Sequence, residues 1–208
     1  SLPDHDRAYS RNHTFRLAIA LEGGVGFSGF VFSKSQHTEC YLKNKEDIMN
    51  PSTIEIVKAT APVVQEHGPK ITQRMYEIAF DARPDLRPFF ENTWMKNPEE
   101  GRMQARKLAG AVYAYASHID ELEELAGAVE HIAQAHVKAK IIPEMYPAIG
   151  ECLLAAMKEV LGDAATPELL EAWKEAYGAL ADIFINRERD IYKDNDGDLF
   201  RTEESRKA

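Results

Sequence analysis

Three side chains carry polar chemistry on stretches that otherwise read as apolar: Tyr76, Gln104 and His136. The stretch from Leu125 to Lys140 has a helical pattern, and at helical spacing Leu125, Val129, Ile132 and His136 share one stripe. His131 falls on the opposite side, beside Glu124, Ala128 and Ala135. Tyr76 stands among Met75, Ala79 and Phe80, and Gln104 heads a stripe continued by Leu108, Ala111, Val112 and Tyr115. A polar group on a buried face needs a hydrogen-bond partner or a ligand. A neutral imidazole can ligate a metal ion, and a phenol and a carboxamide can donate hydrogen bonds. Taken singly, Tyr76 and His136 read as satisfied core residues, and Gln104 as a helix-end residue half in water. Taken together they supply one ligand nitrogen and two donors from three separate helices.

The elements that must position these groups follow one another with no persuasive strand between residues 51 and 192. Ser52, with Glu55 three residues later, forms a capping box for a helix carrying Ile54, Val57, Ala61 and Val64. His67-Gly68-Pro69 predicts a break, with Pro69 in the first turn of a second helix that carries Tyr76. Asp81 to Arg87, with Pro84 and Pro88, predicts a corner or short helix, and Phe89 and Phe90 follow it. A polar loop over Glu91–Gly101 leads to a helix from about Glu100 to Ser117. The His136 helix follows the acidic turn Asp120–Glu124. Pro143 opens the next helix and Gly162 ends it. Thr166-Pro167-Glu168 starts a last long helix, with Trp173, Tyr177 and Phe184 inward. The pattern is that of an all-α single domain over residues 49–192.

Residues 1–48 read as an irregular, flexible N-terminal extension, with Met49 a natural start. Within it, Gly24-Val-Gly26-Phe-Ser-Gly29 matches a dinucleotide fingerprint, but no amphipathic helix follows and the βαβ unit is missing. Residues 193–208 read as an acidic polar tail. Its Asp194, Asp196 and Asp198 resemble the start of a calcium loop, but Leu199 stands where glycine is needed and Ser205 where the bidentate glutamate belongs. A formal net charge of -9 argues against nucleic acid or an anionic membrane surface as partner. Cys40 and Cys152 make no zinc or iron–sulfur spacing and point to a reducing, cytoplasmic setting. No apolar run reaches the ~20 residues of a membrane span.

An imidazole ligand facing a phenol and an amide, inside an all-α chain, is what an iron porphyrin requires. From about Ser52 to Tyr192 the sequence resembles the globin domain of flavohaemoglobins and their single-domain bacterial relatives. The resemblance is carried by Thr53-Ile54, Val57-Lys58-Ala59-Thr60, Gly68-Pro69-Lys70-Ile71-Thr72, Phe90, Gln104 and Ala114-Tyr115-Ala116-Ser117. It continues in Ile132-Ala133-Gln134 with His136, Pro143-Glu144 with Tyr146, Ala172-Trp173, Ala176-Tyr177-Gly178 and Phe184-Ile185-Asn186-Arg187-Glu188. The main departure is a few extra residues around Trp94–Pro98.

The resemblance implies a globin fold, with helices packed three-on-three around haem b (iron protoporphyrin IX). It implies that His136 is the iron ligand and that Phe90 wedges against the porphyrin at the corner. Tyr76, Gln104 and Leu108 would line the distal side, and Tyr146 and Glu188 would pair with the proximal histidine. A carboxylate on the outer nitrogen of a ligating imidazole raises its basicity. Spacing alone reads Glu188 as a solvated residue near a helix end. The implied activity is reversible dioxygen binding and oxidation of nitric oxide to nitrate. The alternative is an oxygen carrier or store, or a gas sensor, without turnover. A peroxidase-like activity is a third, suggested by Tyr146 and Glu188. The residues after Tyr192 leave no room for FAD or NAD(P)H domains, so turnover calls for an external reductase as partner. A homodimer is compatible with the sequence. His67, His118 and His131 read as surface residues.

Overall fold

The computed structural model describes residues 49–194 apart from Asn92, together with Thr38 and Leu42. The glycine motif at residues 24–29, Cys40, and the tail aspartates beyond Asp194 lie outside the described residues. Within residues 51–194, five α-helices make the frame: α1 (Pro51–Ala82), α2 (Pro98–Ser117), α3 (Ala126–Lys138), α4 (Met145–Leu161) and α5 (Pro167–Asp194). Short 3-10 turns at Pro84–Phe90, Leu122–Leu125 and Gly162–Ala164 join them, and there is no strand among the described residues. None of these helices is long and apolar enough to cross a membrane.

Helix α1 departs from the sequence expectation at both its start and its middle. The cap is Asn50, whose side chain accepts from the Ser52 backbone N–H at 3.0 Å, with Pro51 in the first turn. Ser52 is already helical, so it cannot serve as the cap of a capping box. The break predicted at Gly68-Pro69 does not occur, and the helix runs through both Pro62 and Pro69. Each proline removes the N–H that would reach the carbonyl four residues earlier, here on Lys58 and Gln65. Pro62, Pro69, Lys58 and Gln65 are all exposed, so water can satisfy those carbonyls. The opposite stripe of Val57, Ala61, Val64, Gly68, Ile71 and Met75 is buried without interruption. Packing of that stripe outweighs the local breaker signal.

Gly68 is fixed by its neighbour: a Cβ there would lie 3.1 Å from the Ala109 Cβ of α2. Beside that contact, Thr72 Oγ1 donates to the Ala105 carbonyl at 2.7 Å, tying α1 to α2 across the close approach. Helix α5 is joined to α1 by the Trp173 indole N–H, which donates to Thr60 Oγ1 at 3.0 Å. It is joined to α2 by the Tyr115 hydroxyl, which donates to the Ala176 carbonyl at 2.8 Å. Helices α4 and α5 cross at Gly150, where a Cβ would lie 2.5 Å from the Tyr177 ring. The Tyr177 hydroxyl donates to the Tyr146 carbonyl at 2.7 Å, fixing the first turn of α4 against α5. That turn begins at Met145, two residues later than expected, because Pro143 sits in the preceding turn and its carbonyl accepts from Tyr146 N–H. Leu42 is buried in the core.

Candidate functional site

His136 ends α3 at its junction with α4 and α5. Its Nδ1 donates to Glu188 Oε1 on α5 at 2.8 Å and lies 3.0 Å from Tyr146 Oη on α4. The Tyr146 hydroxyl donates to the same Glu188 oxygen at 2.6 Å. These three residues, from three helices, therefore form one hydrogen-bonded cluster. Glu188 is fully buried, which overturns the solvated reading that spacing alone supported. Burial and the Glu188 charge push the Tyr146 phenol well above its ordinary range, so Tyr146 stays protonated and acts as a donor.

The electrostatics of this cluster are unusual in one respect. No lysine or arginine pairs with Glu188 among the described residues; its hydrogen-bond partners are His136 and Tyr146. Its second oxygen, Oε2, is buried without a hydrogen-bond partner. A buried carboxylate is costly unless its charge is compensated. Compensation here must pass through the imidazole. The carboxylate fixes the proton on Nδ1, which leaves the Nε2 lone pair free to ligate. Nε2 has no protein partner among the described residues, and the His136 side chain is one-third exposed. Phe184 flanks the imidazole at a ring distance of 5.4 Å. Held by its outer nitrogen with its inner nitrogen uncommitted, His136 carries the kind of donor that a haem iron would require.

The second cluster sits where α1, the Pro84–Phe90 turn and α2 meet. Tyr76 is buried, with Phe90 edge-on at 5.3 Å and Phe80 stacked at 5.9 Å. Burial raises the Tyr76 phenol to about 12, with the Gln104 hydrogen bond opposing the shift. Gln104 Nε2 donates to Tyr76 Oη at 3.5 Å, a long and weak contact. The Tyr76 hydroxyl thus acts as an acceptor, and its own proton has no protein acceptor among the described residues. Gln104 and Leu108 are half-buried on successive turns of α2, and Phe90 is half-buried at the corner. Trp94 also joins this cluster, 5.1 Å from the Tyr76 ring. The polar loop expected over Glu91–Gly101 therefore contributes an aromatic wall, and α2 begins earlier, at Pro98, capped by Asn97.

Sequence reasoning missed a buried ion pair beside His136. The fully buried stripe of α3 is Ala126, Val129, Glu130 and Ala133, whereas Ile132 and His136 lie at its half-buried edge. The helix is rotated relative to the expected stripe because its small residues approach α5 closely and Glu130 meets Arg187 there. Arg187 Nε and Nη2 donate to the two Glu130 oxygens at 2.7 and 2.9 Å. That contact holds the Glu130 carboxyl below its usual range. Gln134 Nε2 and Thr38 Oγ1 add two more donors, at 3.0 and 3.1 Å. The pair clamps α3 to α5 six residues before His136 and one residue before Glu188. The signal lay in the alanines flanking Glu130, which mark a close helix contact. Of the histidines expected at the surface, His118 is mostly covered, with Nδ1 2.9 Å from the Ala114 carbonyl, where it closes the end of α2.

The family model described as Globin matches residues 73–184, more than half of the chain. The chain is 45% identical over 153 residues to the flavohemoprotein of Oceanobacillus iheyensis, covering 74% of this chain and 37% of that protein. It is 48% identical over 147 residues to the flavohemoprotein of Rhodopirellula baltica, covering 71% and 35%. The chain thus spans about a third of the length of these curated relatives. Among solved structures, a bacterial globin from Campylobacter jejuni matches with a TM-score of 0.63 at 33% identity, covering 69% of this chain and 99% of that one. An engineered carbene transferase, built on a candidate nitric oxide dioxygenase of Rhodothermus marinus, matches with a TM-score of 0.64 at 37% identity, covering 70% and 96%. This chain belongs to the globin family.

Proposed function

We propose that this chain binds haem b through His136 Nε2, takes up dioxygen reversibly, and oxidises nitric oxide to nitrate with electrons from an external reductase. The observation that carries the reading is the fully buried Glu188 carboxylate, which is tied to His136 Nδ1 and leaves Nε2 uncommitted. Haem, when bound, supplies the iron that takes up dioxygen and returns through an electron donor after each turnover. The chain's residues prepare that chemistry. Glu188 and Tyr146 hold the imidazole in one tautomer and strengthen its donation. Tyr76, kept neutral by burial, offers its hydroxyl proton, and Gln104 orients that hydroxyl. Phe90 and Leu108 add apolar wall, which keeps bulk water from the charge that develops on the ligand.

A store or carrier is the second reading, favoured by the uncommitted Tyr76 proton, since a buried donor slows release of an acceptor ligand. The description of the Rhodothermus marinus neighbour as a candidate nitric oxide dioxygenase supports turnover, and the reaction itself separates the two readings. The purified protein is expected to show a Soret band, and His136→Ala to lose the normal ligation spectrum. An unchanged spectrum in that variant would refute His136 as ligand. Rapid mixing of the oxygenated ferrous protein with nitric oxide should then form nitrate stoichiometrically, and repeatedly once a reductase is added. A slow reaction with tightly held dioxygen would leave the store as the function.

A further inference from the structure

After Phe90, the chain at Thr93–Met95 turns back on the end of the preceding 3-10 turn. The Phe90 carbonyl accepts from Thr93 N–H at 3.1 Å and from Met95 N–H at 3.0 Å, so Trp94 is swung toward α1. Its indole is wedged from two sides. On one side lie Tyr76 at 5.1 Å and Phe80 at 5.8 Å, both on α1. On the other lies Gly101 in the first turn of α2, where a Cβ would stand 2.7 Å from Trp94 Cε3. Only a residue without a side chain lets the indole sit there. Gly101 is three residues before Gln104, so Trp94 covers the same end of α2 from which Gln104 reaches Tyr76.

The indole Nε1 is buried and has no hydrogen-bond partner among the described residues. The other tryptophan, Trp173, has its N–H satisfied by Thr60. A buried N–H without an acceptor is rare in folded proteins and points to a partner not drawn from the chain. Phe80 offers no acceptor, and the indole N–H makes no hydrogen bond to Tyr76 Oη, which receives Gln104. Tyr76 and Trp94 together therefore bring two uncommitted protons to one small region.

The geometry points to Trp94 as a specificity-determining residue of the ligand site: its indole N–H is a donor, additional to Tyr76 and Gln104, to a small ligand bearing an acceptor atom, such as dioxygen. It discriminates such ligands from carbon monoxide, which accepts hydrogen bonds poorly. This inference rests on the haem reading above.

The test compares Trp94→Phe with the unaltered protein, both loaded with haem. Phenylalanine keeps a ring between Tyr76 and Gly101 and removes the N–H. The Soret band is read first, and its absence from the unaltered protein would refute the haem reading itself. With the band present in both, dioxygen release from Trp94→Phe is expected to quicken by about fivefold or more, while carbon monoxide release changes less than twofold. Unchanged dioxygen release, or equal changes for both gases, would overturn the proposal and leave Trp94 a packing residue. If the variant does not fold, the unaltered protein decides the matter by nuclear magnetic resonance of its two tryptophan indoles. The Trp94 indole proton should move downfield between the carbon monoxide and dioxygen forms while that of Trp173 stays. A Trp94 signal that is the same in both forms would refute the assignment.

Discussion

Replacing Tyr146 by phenylalanine isolates the phenol's contribution to the proximal cluster. The ring stays stacked on Phe184, 6.5 Å away, so no cavity of consequence opens. What goes is one O–H donor at 2.6 Å from a fully buried carboxylate. Glu188 Oε2 already lacks a partner, and Oε1 would keep only the His136 donor. A hydrogen bond to a charged group contributes about 1.5–3 kcal/mol. For a chain of 208 residues each kcal/mol moves Tm by about 2–4 °C, so a loss near 2 kcal/mol lowers Tm by about 4–8 °C. Thermal unfolding followed by circular dichroism measures this directly. Glu188→Gln and the double variant then complete a cycle. The phenol and carboxylate should couple by about 1–2 kcal/mol, so the double variant loses less than the sum of the singles. Strictly additive losses, or a Tyr146→Phe protein as stable as the original, would show that the drawn contact contributes nothing to the cluster.

Two further outcomes follow from the charges and their burial. Arg187→Met leaves Glu130 buried without its bidentate partner and should cost about 3–5 kcal/mol, whereas replacing both residues by methionine should recover most of that loss in denaturant unfolding. At alkaline pH the buried Tyr76 holds its proton to about 12, while in the unfolded chain it ionises near 10.0. Between these values the folded state binds more protons, so stability falls as pH rises, by up to about 1.4 kcal/mol per pH unit from this residue. Unfolding midpoints measured from pH 9 to 11 should decline, and Tyr76→Phe should flatten the decline.

Much of the helical frame could be read without coordinates. The inward runs around Val57, Val112, Leu153 and Trp173 repeat at helical spacing, and burial of a stripe makes that spacing visible along the chain. His136, Tyr76 and Gln104 were visible too, because each interrupts such a stripe. Glu188 was visible only through its place in the Phe184-Ile185-Asn186-Arg187-Glu188 match. Its spacing alone could not show that Tyr146 and His136 lie beside it.

The sequence by itself determined that this chain is built of helices and which polar residues break its apolar faces, since both follow from local periodicity and side-chain chemistry. The tertiary structure decided what local rules leave open. It carried α1 through Gly68 and Pro69, because the buried face against Ala109 outweighs two missing N–H groups that water can compensate. It turned α3 so that Glu130 meets Arg187, 57 positions away, and set His136 at the edge. It also brought Trp94 from a polar loop onto Tyr76, with its N–H left over. These outcomes depend on pairs far apart in the chain, whose energies appear only when helices touch.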